Sequence, residues 1–94
     1  MPKFDFTEMD KLEKYLKDHG IDYDRWDIHD GQQIVVYKEP KVRSWDVVLH
    51  SYSYGNEENL LEAMGEDLLG HDDVEGYLTA DDVIRYLALA RSFN

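Results

Sequence analysis

Apolar residues at helical spacing open the chain. Met9, Leu12, Leu16 and His19 recur every three or four positions before Gly20, which predicts an amphipathic helix with one stripe toward a core. Thr7 is the expected cap, with Asp10 three residues later as a short capping-box acid. Lys11, Lys14 and Lys17 take the remaining faces, and Gly20 supplies the left-handed stop. The period then falls to two. Ile21 and Tyr23 share one parity and Trp26 and Ile28 the other, so a strand is expected with a bulge or break near Asp24–Arg25. Asp30–Gly31 signals a tight turn, and the β-branched run from Gln33 to Tyr37 a second strand that Glu39–Pro40 ends. A third strand is expected from Trp45 to Tyr52, with Trp45, Val47 and Leu49 on one face and Tyr52 and Tyr54 on the other. The short connections predict an antiparallel meander.

Helical spacing returns after Gly55. Asn56 can cap a helix whose stripe is Leu60, Leu61, Met64 and Leu68, weakened at Gly65 and closed by Gly70. Thr79 caps a last helix, with Asp81 and Asp82 at its positive end and Val83, Ile84, Leu87, Ala88 and Arg91 along it. The expected fold is α+β, one domain over residues 1–94 in the order α-β-β-β-α-α. Its three-stranded antiparallel sheet is covered by the helices.

Charge adds a second layer to this pattern. The 94 residues carry 21 acids against 10 Lys and Arg, a net charge of -11. That balance excludes general affinity for nucleic acid or an anionic membrane, both of which need cations against phosphate. Residues 1–43 hold ten acids and eight bases, whereas residues 44–84 hold eleven acids and no Lys or Arg. With no cysteine there is no disulfide and no thiolate chemistry, and no apolar run is long enough for a transmembrane helix or a signal peptide. A cytoplasmic protein is expected.

Few residues suggest chemistry. His19, His29, His50 and His71 have no metal-binding spacing, and neither a nucleophile turn nor a phosphate loop is present, so no enzyme and no cofactor are expected. Residues 71–82 partly match a calcium loop. Asp73, Glu75 and Asp82 stand at positions 3, 5 and 12, Gly76 at 6 and Leu78 at 8, but His71 replaces the oxygen ligand at position 1. A degenerate calcium-binding module is therefore the alternative reading. The leading reading is a binding surface. Glu58, Glu62 and Glu66 recur at i+4 as a like-charged helical stripe, a mildly unfavourable arrangement. With Tyr52, Tyr54, Glu57, Asp67, Asp72 and Asp73 they form the expected contact set for a basic protein partner, of which a nucleic-acid enzyme of a host is the fitting example.

The segment Trp45–Gly55, followed by Leu60–Gly65 and Gly76–Ile84, resembles a group of small acidic proteins from phages and integrated elements of Gram-positive bacteria. The resemblance spans about half the chain, mainly residues 45–84, and implies no catalytic residue. In element order and acidity the chain is also similar in kind to small anti-CRISPR and DNA-mimic proteins, a likeness of architecture and charge without a shared motif.

Overall fold

The computed structural model describes residues 3–92. The first helix, α1 (Thr7–Asp18), buries Met9, Leu12 and Leu16 as the spacing predicts. Its ends differ from expectation. Asp5, not Thr7, holds the start: its carboxylate accepts both the Thr7 N–H and the Thr7 hydroxyl, and Thr7 is already helical. Asp10 turns away to Arg25, 2.9 Å off. His19 lies one residue past the helix, exposed and stacked on Tyr15, because Gly20 at φ 64° lets the Ile21 N–H close onto the Leu16 carbonyl.

The sheet has five strands, not three: β1 (Tyr23–Ile28), β2 (Gly31–Glu39), β3 (Val42–Leu49), β4 (Leu61–Met64) and β5 (Glu75–Leu78), neighbours in that order and all antiparallel. The overall α+β class holds. The helix expected over residues 56–70 is divided into a 3-10 turn at Asn56–Glu58, strand β4 and a one-turn helix, α2 (Glu66–Leu69). Two causes are visible. Gly55, Asn59 and Gly65 adopt φ of 97°, 58° and 138°, outside the helical region. A three-stranded sheet would also leave the outer edge of β3 unpaired, and Leu61–Met64 fills it, with Ala63 opposite Val47 and Glu62 opposite Val48. Gly65 is required where the chain leaves that strand, since a side chain there would place its Cβ 2.5 Å from the Trp45 Cβ.

No bulge occurs at Asp24–Arg25. β1 pairs with β2 without interruption from Tyr23↔Val36 to Ile28↔Gly31. The parity change arises because Tyr23 and Trp26 point to opposite faces, each half-buried. The register shifts lie between β2 and β3, flanking Tyr37. β3 ends at Leu49 rather than Tyr52, where Ser53 folds back to donate its N–H and hydroxyl to the His50 carbonyl.

The core lies on one side of the sheet. Ile34, Val36, Trp45, Val47, Leu49, Leu61, Ala63 and Leu78 face the buried residues of α1, Leu68 of α2, and Val83 and Leu87 of α3 (Ala80–Ser92). Thr79 caps α3 as expected: its hydroxyl accepts the Asp82 N–H at 3.1 Å while Asp82 accepts the Thr79 N–H at 3.0 Å. Ala88 is exposed, and the side chain of Arg91 lies outside the described residues. Among the described residues, no helix is long and apolar enough to cross a membrane.

Candidate functional site

The other side of the sheet carries a second set of side chains that sequence reasoning did not assemble. Strand register puts Trp26, Gln33, Val48 and Glu62 in one row and Asp24, Val35, Asp46 and Met64 in the next. The Trp26 indole N–H donates to Gln33 Oε1 at 2.7 Å, and Gln33 Nε2 donates to Asp46 Oδ2 at 3.0 Å, a polar chain across three strands. Val35 is fully buried among these groups although it stands outside the main core cluster. The Arg43 guanidinium lies 5.7 Å from the Trp26 ring centroid. The Tyr37 hydroxyl donates to Asp24 at 2.9 Å.

Asp46 and Glu62 are half-buried here. Burial pushes the Asp46 carboxyl above its ordinary range, against the opposing pull of the Gln33 amide and of Arg43. Burial also raises Glu62, with Asp46 adding repulsion, while the Tyr54 backbone N–H donated to its carboxylate draws it back. A carboxyl raised in the folded state stabilises the fold below its unfolded pKa, and that contribution is lost as pH rises through the folded value. Asp46→Asn keeps an oxygen for Gln33 and removes the buried charge. It should therefore raise the melting temperature at pH 7 and lose that advantage at pH 3, both read by thermal melts. A lower melting temperature at pH 7 would show that the charge is worth more than its burial costs.

The expected contact set separates into three places. Tyr54, Glu57, Glu58 and Glu62 come together beside β4 and β5. Tyr77 joins them: its hydroxyl donates to Glu57 at 3.1 Å and its N–H to the Tyr54 carbonyl at 3.3 Å. Tyr54 lies over Gly76, where an added Cβ would stand 2.3 Å from the Tyr54 Cβ. Tyr54 and Tyr77 remain 61% and 54% exposed, and Met64 50%. Glu66 and Asp67 sit at the opposite end of the sheet on α2. There Asp67 accepts the Ser44 hydroxyl at 2.9 Å and pairs with Lys38 at 3.3 Å, which holds its carboxyl below the usual range. Asp72 and Asp73 are exposed in the α2–β5 connection. The i+4 stripe of Glu58, Glu62 and Glu66 does not exist, because its members occupy a 3-10 turn, a strand and a separate helix.

Tyr52, 81% exposed, belongs to a third place at the tip of the β1–β2 turn. Its ring stands 5.8 Å from His29 and 6.0 Å from His50, and its N–H donates to His50 Nδ1 at 3.0 Å. Beside them Asp30 accepts the Ser51 N–H at 2.9 Å, the Ser51 hydroxyl and the Lys3 ammonium, so its carboxyl is held far below the usual range. Burial and the neighbouring His29 lower His50. Ser51 thus donates to a carboxylate, not to an imidazole, and this corner carries no hydroxyl–imidazole pair of the kind nucleophilic catalysis uses.

Residues 71–82 do not form a helix–loop–helix calcium loop. Strand β5 runs through them, Asp82 is committed to the Thr79 cap, Asp73 bonds the Val74 N–H, and Glu75 lies 3.3 Å from His71 Nε2. Among the described residues no group of three or more His, Asp or Glu could hold a metal ion.

The ion pairs sharpen the charge asymmetry. Lys3, Lys11, Lys14 and Arg25 are engaged by Asp30, Glu8, Asp18 and the Asp10–Glu13 pair. Of the acids in residues 44–84, Asp67 meets Lys38 and Asp82 meets Arg85; among the described residues the others form no ion pair with Lys or Arg. Residues missed by sequence reasoning, chiefly Trp26, Asp46, Met64 and Tyr77, come from four different strands. Comparisons with protein-family models, with curated proteins and with solved structures return no match, so the reading of this site rests on its own geometry.

Proposed function

We propose that this chain is a non-enzymatic protein-binding module that presents carboxylates and tyrosines to a basic partner in the manner of a nucleic-acid mimic. The observation that supports it is the cluster beside β4 and β5. Tyr54 and Tyr77 stand exposed among Glu57, Glu58 and Glu62, within a stretch that contains no Lys or Arg. Charge serving solubility alone needs no aromatic company, whereas tyrosines set among uncompensated carboxylates offer both contact area and long-range steering. The likeness to proteins of phages and integrated elements supports a host protein as the partner.

The test is charge reversal at exposed positions. Glu57→Lys with Glu58→Lys should leave stability within about 1 kcal/mol, since substitutions at solvated positions each change it by about half that. Proteins cross-linked to the wild type in a bacterial lysate should be basic nucleic-acid-binding proteins. Added duplex DNA should release them, and the double variant should capture them poorly with a weaker salt dependence. Capture of the same proteins by the double variant, or indifference to DNA, would remove the mimic reading.

A further inference from the structure

The same uncovered sheet face has more specific chemistry than negative charge. Resting on the proposed function, we infer that this face takes arginine side chains of the basic partner, with the rings of Trp26 and Tyr54 as stacking surfaces and the carboxylates of Asp46 and Glu62 as guanidinium acceptors. Arg43 already displays the mode within the chain: its guanidinium lies over the Trp26 ring, close enough to Asp46 to act on its carboxylate. The acceptors are held in place before any partner arrives. Gln33 ties the Trp26 indole to Asp46 through two hydrogen bonds, and strand pairing fixes the Glu62 backbone opposite Val48. Beneath them Val35 is fully buried, so the platform is packed. Such preorganisation lowers the ordering cost of binding.

Charge and surface type select the occupant. Asp24, Asp46 and Glu62 share the face with Arg43, so it has carboxylates to spare for an incoming cation. A second copy of a chain with net charge -11 would meet repulsion. Met64 and the aromatic rings leave apolar surface beside the carboxylates. A weakly hydrated, planar guanidinium fits such surface better than a compact, strongly hydrated ammonium. Burial has also left Asp46 and Glu62 reluctant to ionise, so a cation that pairs with them is held less firmly as the solution is acidified and they protonate.

The experiment is an NMR titration of the full chain with an oligoarginine and an oligolysine peptide of equal length, read at the Trp26 indole N–H, which Trp26→Phe identifies. Oligoarginine should move that resonance and bind about fivefold or more tighter than oligolysine, the ratio expected of roughly 1 kcal/mol of stacking. Asp46→Asn with Glu62→Gln should preserve the spectrum of the fold and weaken oligoarginine about tenfold or more. Equal affinity for the two peptides overturns arginine recognition and leaves the basic-partner reading standing. So does a shift confined to Glu57, Glu58 and Tyr77 with the Trp26 indole unmoved. Failure of both peptides to bind at low salt overturns the two together.

Discussion

Leu61→Ala should lose about 3–5 kcal/mol of stability and Met64→Ala under about 1 kcal/mol, a contrast only a strand can produce. On a helix the two would share one stripe, and truncating either would leave a comparable void. In β4 they point to opposite faces. Leu61 is fully buried opposite Leu78, while Met64 emerges half-exposed on the uncovered side. A domain of this length is stable by roughly 5–14 kcal/mol, so the Leu61 change removes about a fifth or more of the total. Urea unfolding of the two variants measures this directly. Comparable losses would mean that residues 61–64 do not alternate between the faces as β4 requires.

Gly31→Ala should cost about 3 kcal/mol or more, at the upper end of what overpacking does. The hairpin between β1 and β2 presses its turn onto the end of β3. A Cβ at position 31 would stand 1.7 Å from the Leu49 carbonyl oxygen and 2.9 Å from the His50 Cα. Both obstacles are backbone, so no rotamer change relieves them. The strands must part where Gln32 faces Leu49, and the bonds from Ser51 to Asp30 loosen with them. Gly20→Ala is the control. Its φ of 64° strains a side chain, yet nothing lies within 4 Å, so about 1–2 kcal/mol is expected. Equal melting temperatures for the two variants would show that the close approach at Gly31 carries no weight.

The site was legible in part. Tyr54, Glu57, Glu58 and Glu62 are close in sequence, and any chain path that turns back on itself there keeps them together. Tyr77 had a faint signal, since Gly76 beside an aromatic residue often marks a close backbone approach. Trp26 and Asp46 had none. They lie 20 residues apart, and their link runs through Gln33 of a third segment, so pairing register alone creates it.

Elements whose cause is local were determined by the sequence. The core stripe of α1 follows from Met9, Leu12 and Leu16, and the start of α3 from Thr79 and Asp82 bonding each other's backbone. Asp30–Gly31 marked the β1–β2 hairpin, although its turn falls one residue earlier, at His29–Asp30, with His29 at φ 55° and Gly31 opening β2. The segment from Asn56 to Leu69 was decided by tertiary structure, because Leu60, Leu61, Met64 and Leu68 suit a helix while Leu61 and Ala63 suit a strand. Local pattern cannot choose between those periods. The vacant hydrogen-bonding edge of β3 and the buried space opposite Leu78 reward only the strand, and neither exists until distant parts of the chain have met.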